Sequence, residues 1–275
     1  MKKMENVINY KKQPLYYVNA NKKVYFKDVL NKLEKARVKK GDIIFVQSDI
    51  SVFGKIGEIK DKNIFLDLLL EAFKEAVGKN GTIIMPTFTY SFCKNEPYEK
   101  DYTPSTVGVF TEYFRKQKNV TRTNDPIFSV ATYGKLKSFF VSDLGKDCFG
   151  KNSIFDKLYQ KNAKIILFGT TESTFIHYIE QRCNVPYRFY KSFSGKIINR
   201  GKISNAKYDY FVRSLDGSVE LDLANLNKHL IDKKIMKKVG LGSGNILSVE
   251  SRVLFFEGMG ALRKNPYFFF KNNKK

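Results

Sequence analysis

Hydrophobic and polar positions along most of this chain alternate between the spacing of helices and the spacing of strands. Residues 26–42, FKDVLNKLEKARVKKGD, place apolar side chains at helical intervals and end at Gly41, after which IIFVQS is a short apolar run. Residues 66–77 and 108–117 predict further helices, and the segments TIIMPTFT, FSVATYG and KIILFG predict strands. This alternation predicts an α/β domain.

The last third of the chain changes to an antiparallel pattern. A helix is predicted at 173–182, and residues 195–215, GKIINRGKISNAKYDYFVRSL, alternate like a hairpin with a glycine in its turn. Residues 242–262 predict a strand or short helical pieces. The final segment, FFFKNNKK, predicts a frayed basic tail.

The predicted architecture is a single α/β domain over residues 1–275, with a mixed β-sheet flanked by helices and an antiparallel C-terminal region. Residues 1–24 form an N-terminal extension in this interpretation, and the basic tail spans about 268–275. Several predicted strands end in small polar residues, in the segments VQSDIS, MPTFT and FGTTEST. Because α/β folds build ligand sites at strand ends, these segments are candidates for binding.

The composition is that of a globular and strongly basic protein. Its 49 Lys and Arg residues against 27 Asp and Glu residues give a net charge of +22. Such a charge attracts nucleotides, phosphates and nucleic acid, although lysine excess also follows from an AT-rich genome. Three widely spaced cysteines, Cys93, Cys148 and Cys183, favour reduced thiols over disulfides or a zinc site. Lacking a signal-peptide pattern and an apolar run of about 18 residues, the chain predicts a cytoplasmic protein that does not cross a membrane.

Histidine is rare in the chain, which has only His177 and His229. His229 lies in the amphipathic stretch LNKHLIDKKI. His177 follows a strand predicted to be buried, precedes an aromatic and arginine-bearing loop, and stands three residues before Glu180. A histidine in this setting is either a catalytic base or a structural residue with satisfied hydrogen bonds.

Five segments in order and spacing resemble the antibiotic N-acetyltransferase family, typified by aminoglycoside 3-N-acetyltransferases. The resemblance covers roughly residues 25–200. The segments are GDIIFVQSDISVFG at 41–54, GTIIMPTFT at 81–89, TPSTVGVFTEYFR at 103–115, RTNDPIFSVATYG at 122–134 and GTTESTFIHYIEQRCNVPYR at 169–188.

The resemblance implies transfer of an acetyl group from acetyl-CoA by a single α/β domain whose fold is distinct from the GNAT fold. It also implies that His177 is the general base and that no metal takes part. Residues in three of the matched segments would line the coenzyme A channel: Ser48, Asp49, Ile50, Ser51, Thr87, Thr89 and Ser105.

The chemistry of these residue types agrees with that implication. A sugar amine is largely protonated at neutral pH, and histidine, with an ordinary pKa of about 6.5, suits removal of its proton. The i, i+3 spacing places Glu180 within reach of the imidazole, where a carboxylate would fix the tautomer, although substrate contact or simple packing are alternatives. The oxyanion donor is left open among Thr87, Ser48, Ser105 and a loop N–H.

Three more residues are candidates for substrate binding. Asp125 precedes a proline where many relatives have histidine, so it is either a turn residue or a substrate contact. Tyr187 and Arg188 either close the exit of the helix or face the acceptor, and an arginine beside aromatic residues suits a phosphate or carboxylate.

The net charge suggests an anionic acceptor. A protein of +22 would repel a polycation at long range, so we expect N-acetylation of an amino sugar linked to a nucleotide, in surface or flagellar glycan biosynthesis. The alternative is an aminoglycoside 3-N-acetyltransferase that confers antibiotic resistance. A basic RNA-binding protein is a further alternative, disfavoured because no RNA-binding signature is present. The aromatic content leaves room for a homodimer face.

Overall fold

The protein is described by a computed structural model that covers residues 10–271. Residues 1–9 and 272–275, which belong to the predicted N-terminal extension and basic tail, lie outside the described residues. The strands are β1 (Tyr16–Asn19), β2 (Lys22–Val24), β3 (Ile43–Ser48), β4 (Lys55–Ile56), β5 (Thr82–Pro86), β6 (Tyr98–Glu99), β7 (Thr121–Arg122), β8 (Val130–Gly134), β9 (Lys164–Phe168), β10 (Arg188–Asn199), β11 (Lys202–Arg213), β12 (Lys237–Leu241) and β13 (Gly244–Glu250).

The helices pack on both faces of the largest sheet and carry the segments that lead into the site. They are α1 (Phe26–Lys35), α2 (Lys62–Val77), α3 (Val109–Arg115), α4 (Lys137–Val141), α5 (Ile154–Gln160), α6 (Ile176–Cys183), α7 (Ala224–Asp232) and α8 (Ser251–Lys264). Short 3-10 turns lie at Ile50–Phe53 and Phe92–Lys94.

The largest sheet has seven strands in the order β12-β13-β9-β3-β5-β8-β7. Its centre is parallel, since β3 pairs in parallel with both β5 and β9, while the outer pairs are antiparallel. The prediction of an α/β fold with a mixed sheet is therefore confirmed. The carboxyl ends of β3 and β9 meet at one edge, which is the edge of the strand-end segments Gln47–Ser48 and Phe168–Gly169.

Two apolar cores lie on opposite faces of this sheet because successive side chains of a strand point in opposite directions. In β9, Ile165 and Leu167 join the core that includes α6 and α8, whereas Ile166 and Phe168 join the core that includes α1 and α2. All four side chains are at most 1% exposed. A strand buried on both faces reads as a continuous apolar run, which is why KIILFG is recognisable from sequence.

A long hairpin forms a second sheet beside the site. Strands β10 and β11 pair from Arg188↔Arg213 to Asn199↔Lys202, and β6 adds to β10 in parallel. The two turn residues, Arg200 and Gly201, have φ of 49° and 76°, as two-residue hairpin turns require. The predicted antiparallel hairpin with a glycine in its turn is confirmed.

Other elements differ from the sequence expectations. Strands β1 and β2 of the predicted extension pair with each other and with β4, and Tyr16 is fully buried. Strands this short carry too little periodicity to be recognised. The segment 242–262, for which a strand or short helical pieces were expected, holds strand β13 and most of the 14-residue helix α8. Phe269, in the predicted tail, is also fully buried.

Candidate active site

The chain reverses direction directly after the helix that carries His177. Helix α6 ends at Cys183, and its C-cap, Asn184, takes the left-handed conformation with φ 46° and ψ 52°. Asparagine tolerates this conformation better than most residues. The reversal returns Tyr187 and Arg188 alongside the helix that they have just left.

His177 and Glu180 form the centre of the site. The Nδ1 atom of His177 lies 2.6 Å from Oε2 of Glu180, one helical turn further along α6. The Glu180 side chain is fully buried, whereas 18% of the His177 side chain remains exposed. The expected contact between the two side chains is thus present, and the imidazole is the part of the pair that a ligand can reach.

The hydrogen bonds around Glu180 favour one tautomer of His177. The Glu180 carboxylate accepts a hydrogen bond from the Tyr187 hydroxyl at 2.8 Å, and Arg188 Nη2 lies 2.9 Å from its Oε2. An ionised carboxylate offers only acceptor positions, so the 2.6 Å separation pairs it with a proton on Nδ1. Arg188 Nη2, which can only donate and lies 2.8 Å from the same nitrogen, then donates to Oε2 and not to the ring. The neutral imidazole then keeps its lone pair on Nε2, where no residue of the described chain forms a hydrogen bond.

Arg188 and Tyr187 both contact the Glu180 carboxylate. The Arg188 side chain is only 1% exposed. Its Nη1 donates to the Phe211 carbonyl at 3.0 Å, and Nη2 lies 2.8 Å from His177 Nδ1. The turn at Asn184 folds the guanidinium inward against Glu180, and direct contact of Arg188 with a substrate stays a prediction from the sequence.

The electrostatics of the cluster favour a neutral imidazole beside an ionised carboxylate. Burial lowers the pKa of His177, and the Arg188 charge lowers it further, against an opposing effect from Glu180. Burial alone would raise the pKa of Glu180, but His177, Arg188 and the Tyr187 hydroxyl together hold it below its ordinary value. A buried base of this kind is free to accept a proton at neutral pH.

An aromatic ring packs against His177, and an acidic residue contacts the same helix. The Phe149 ring centroid lies 5.5 Å from that of His177. Asp147 accepts hydrogen bonds from Gln181, which is one turn further along α6, at 2.9 and 3.1 Å. Asp209 of β11 forms a bridge with Asp147. No pattern in the sequence marks these residues, and the pairing of β11 with the 145–150 loop brings Asp147 and Asp209 together.

The strand-end segment Ser48–Ser51 touches the segment that leads into α6. The Asp49 N–H donates to the Phe168 carbonyl at 2.9 Å, and the Thr174 N–H donates to the Gln47 side chain at 3.0 Å. Gly169, with φ 83°, permits this approach, because a Cβ there would lie 2.1 Å from the Asp49 carbonyl oxygen. The structure therefore brings the predicted cofactor loop beside the predicted base.

Buried hydroxyls without partners mark the same strand ends. The hydroxyl oxygens of Ser48, Ser173 and Thr174 are shielded from solvent and form no hydrogen bond with the described residues. Buried polar groups in proteins are normally paired, so three unpaired hydroxyls on adjoining segments suit a polar ligand. Sequence reasoning missed Ser173 and Thr174, although both lie in the quoted motif GTTESTFIHYIE.

Asp49, Ile50 and Ser51 lie at the surface of the 3-10 turn. Asp49 caps this turn by accepting hydrogen bonds from the Ser51 N–H at 3.0 Å and the Ser51 hydroxyl at 2.5 Å. Ile50 is half-buried and packs at the edge of the core beneath. Asp49 and Ser51 are exposed next to Ser48, and the hydrogen bonds of their side chains stay within the turn.

Two predicted cofactor residues are held within the protein. Thr87 is fully buried, and its hydroxyl bonds Ser129 and accepts from Arg122 Nε at 3.1 Å. Thr89 is 2% exposed and donates to the Pro126 carbonyl at 2.8 Å. The structure thus leaves neither hydroxyl free for a ligand, because both groups join β5 to the 122–130 segment.

Ser105 and Asp125 also have local partners. The Ser105 N–H donates to Glu112 at 2.8 Å, and its hydroxyl lies 3.3 Å from that of Thr111. Asp125 is buried and accepts the N–H groups of Ile127 and Phe128, each at 2.8 Å. Burial raises the pKa of Asp125 to about 6 despite those hydrogen bonds. Of its two proposed roles, the turn residue is the one that these contacts describe.

The remaining candidates lie apart from this site. His229 of α7 contacts Glu257 at 2.9 Å and is half-exposed. Between residues 10 and 271, no cluster of three His, Cys, Asp or Glu side chains could hold a metal ion. Over the same range, no helix is long and apolar enough to cross a bilayer.

Comparisons with known proteins agree with the sequence motifs. The family model described as aminoglycoside 3-N-acetyltransferase matches residues 45–262. Aminoglycoside N(3)-acetyltransferase IV of Salmonella sp. is 25% identical over 247 residues, which cover 88% of each chain. The SPbeta prophage-derived aminoglycoside N(3')-acetyltransferase-like protein YokD of Bacillus subtilis strain 168 is 29% identical over 189 residues, 60% of this chain and 64% of that protein.

A solved structure, of AAC-IIIb in a binary complex with CoASH, has the same fold. Its TM-score is 0.75 at 17% identity, over 91% of this chain and 98% of that one. The expected fold, α/β and not GNAT, is thereby confirmed.

The comparisons contradict the acceptor that was expected from charge. The matching family and both curated relatives bear the names of aminoglycoside acetyltransferases, so the expectation of a nucleotide-linked amino sugar in glycan biosynthesis is wrong. The physical reason is that net charge sums the whole surface, whereas salt screens charges separated by more than about 8–10 Å. Locally, Asp147 contacts Gln181 on the helix of His177, and Asp209 forms a β-bridge with Asp147.

Proposed function

The chain belongs to the aminoglycoside 3-N-acetyltransferase family, and we propose that it transfers the acetyl group of acetyl-CoA to an amino group of an aminoglycoside. The observation that carries this proposal is the His177–Glu180 pair. Its Nδ1 is tied to a buried carboxylate at 2.6 Å, and its Nε2 is left free on the exposed side of the ring.

His177 acts in this proposal as the general base. An aminoglycoside amine is mostly protonated at neutral pH, so a proton must leave before the nitrogen can attack a thioester. His177 Nε2 accepts that proton, and Glu180 stabilises the imidazolium through the hydrogen bond at Nδ1. The lowered pKa of His177 keeps the resting ring neutral and therefore competent as a base.

The residues at the ends of β3 and β9 fit a thioester carbonyl and its neighbouring amides. Acetyl-CoA supplies the acetyl group as a thioester when bound. The unpaired hydroxyls of Ser48, Ser173 and Thr174 are donors that such a group would satisfy, and one of them would stabilise negative charge developing on the carbonyl oxygen. The exposed turn Asp49–Ser51 then forms the outer wall of the channel.

The acceptor side of the ring supports a cationic substrate. Asp147 and Asp209 lie next to each other where β11 meets the loop before Phe149, and Gln181 ties Asp147 to the helix of His177. Carboxylates in this position would pair with the ammonium groups of an aminoglycoside. This attraction acts over a few ångströms, where salt screens it little. The lysines elsewhere on the surface are further from the substrate, and salt largely screens their repulsion.

A thiol-release assay with acetyl-CoA and a panel of aminoglycosides tests the proposal. We expect turnover by the wild-type protein, loss of about 10²- to 10⁴-fold in His177→Gln, and unchanged turnover in the matched control His229→Gln. Mass spectrometry and NMR of the product would locate the new amide. Absence of turnover with every aminoglycoside, or full activity of His177→Gln, would overturn the function or the base respectively.

A further inference from the structure

Arg188 is the most enclosed cation in the site. Its side chain is 1% exposed, and Nη2 lies 2.9 Å from Glu180 Oε2 and 2.8 Å from His177 Nδ1. Its Nη1 donates to the Phe211 carbonyl, and the buried Nε has no hydrogen-bond partner among residues 10–271. A buried guanidinium with one unpaired N–H is costly, so stability alone does not account for it.

The placement of this charge has a direct consequence for the base. A buried carboxylate alone, 2.6 Å from Nδ1, would favour the protonated imidazolium, and a histidine that is already protonated cannot accept a proton. Arg188 offsets the negative charge of Glu180 at the distance where it acts on His177. The neutral ring is thereby restored without loss of the hydrogen bond that fixes its tautomer.

The geometry also limits where Glu180 can turn. Tyr187 donates to Oε1 and Arg188 lies against Oε2, so the two carboxylate oxygens have different partners. Rotation of the carboxylate would break both contacts inside a closed pocket. Oε2 therefore stays directed at His177 Nδ1.

We propose that Arg188 is a positioning residue of the acetyl-transfer site, holding the Glu180 carboxylate against His177 Nδ1 while cancelling its charge, so that His177 rests as a neutral base with Nε2 free. This inference rests on the proposed function for its use in catalysis. The arrangement of protons on His177, however, is a property of the protein without any substrate.

Besides Asp147, which Gln181 ties to α6, and Asp209, which is bridged to it, four charged or titratable groups lie around His177. Glu180 lies on the same helix, Tyr187 and Arg188 approach from the returning chain, and Arg213 is the nearby cation of β11. Arg213 also lowers the pKa of His177, but its guanidinium is held by the carbonyls of Ser214 and Val219. Arg188 is the only one of the two arginines with a hydrogen bond to the pair.

The decisive experiment is an NMR titration of the imidazoles in the protein without ligands. The chain has only two histidines, and His229→Gln assigns their signals. In Arg188→Gln we expect the pKa of His177 to rise by about one unit or more, since a cation within 4–6 Å shifts a neighbour by about that amount. Nitrogen-15 shifts should show Nδ1–H as the neutral tautomer in the wild-type protein.

Matched variants separate this role from a structural one. Arg188→Lys keeps the charge without the planar fork, so we expect a smaller rise in the pKa of His177. Arg182→Gln removes a cation from α6, the helix of His177, where Arg182 contacts Asp156 at 3.7 Å. This variant should leave the pKa of His177 unchanged. An unchanged His229 titration reports that each variant is folded.

Activity gives the second readout. In the pH profile of kcat, the midpoint of the acidic limb of Arg188→Gln should move to higher pH by the same amount as the pKa of His177. Activity should recover at higher pH, and KM for acetyl-CoA should not change. A uniform loss at every pH with an unmoved His177 titration would overturn the inference. If Arg188→Gln does not fold, Arg188→Lys carries the test, and an unmoved pKa of His177 in folded Arg188→Lys would overturn the inference. Absence of aminoglycoside turnover together with a shifted His177 would refute the proposed function alone.

Discussion

Replacing Glu180 by glutamine tests the site most directly, because the change removes one charge without changing the shape of the side chain. Glu180 and Arg188 are 0% and 1% exposed, so solvent does not screen the pair. Breaking a buried pair by removing one partner costs about 3–5 kcal/mol, since the other charge is left uncompensated. For a protein of this size that loss lowers Tm by roughly 6–20 °C.

The same substitution acts on the reaction through His177. An amide donates as well as it accepts, so the proton no longer has a single preferred position on the ring, and a wrong tautomer costs about 10⁴-fold in the Ser-His-Asp enzymes. We expect kcat for acetyl transfer to fall by about 10²- to 10⁴-fold. Thermal unfolding and the thiol-release assay measure the two effects separately.

Glu257→Gln is the matched control. It also removes a carboxylate 2.9 Å from a histidine, His229, but this pair is partly exposed and away from the site. A pair of this kind contributes about 0–1 kcal/mol, so we expect little change in Tm and none in kcat. Equal behaviour of Glu180→Gln and Glu257→Gln would refute the reasoning, because burial would then have no bearing on either effect.

Three further predictions follow from the same contacts. Because the pKa of His177 is lowered, the acidic limb of the wild-type kcat/KM profile should have its midpoint below about 6.5, and a midpoint above that value would contradict the neutral resting base. The folded-state pKa of Asp125 is raised to about 6, so its contribution to stability is full below its unfolded value of about 3.9 and is lost as pH rises through 6. Chemical denaturation of Asp125→Asn should lack that decline, and an identical decline in both proteins would exclude Asp125 as its cause. Ser48→Ala removes a buried hydroxyl that forms no hydrogen bond within the described residues, so Tm should not change. We expect KM for acetyl-CoA to rise, or kcat to fall, by about 10-fold. Unchanged kinetics would exclude Ser48 from the cofactor site.

The local sequence alone was enough to predict the central strands, the hairpin and the His177–Glu180 contact. Each depends on a regular backbone period: an apolar run for β3 and β9, alternation for β10 and β11, and the i, i+3 spacing on α6. These periods fix which side chains are neighbours within an element. They do not depend on what packs against it.

The partners of polar side chains were decided by the tertiary structure. Whether Arg188 faces a substrate or Glu180 depends on the left-handed turn at Asn184 and on the Phe211 carbonyl, 23 residues away. Whether Thr87 is free or engaged depends on Arg122, 35 residues away. Hydroxyl and guanidinium groups can form hydrogen bonds with many different partners at similar energy. Their roles therefore follow from long-range packing, which spacing along the chain does not encode.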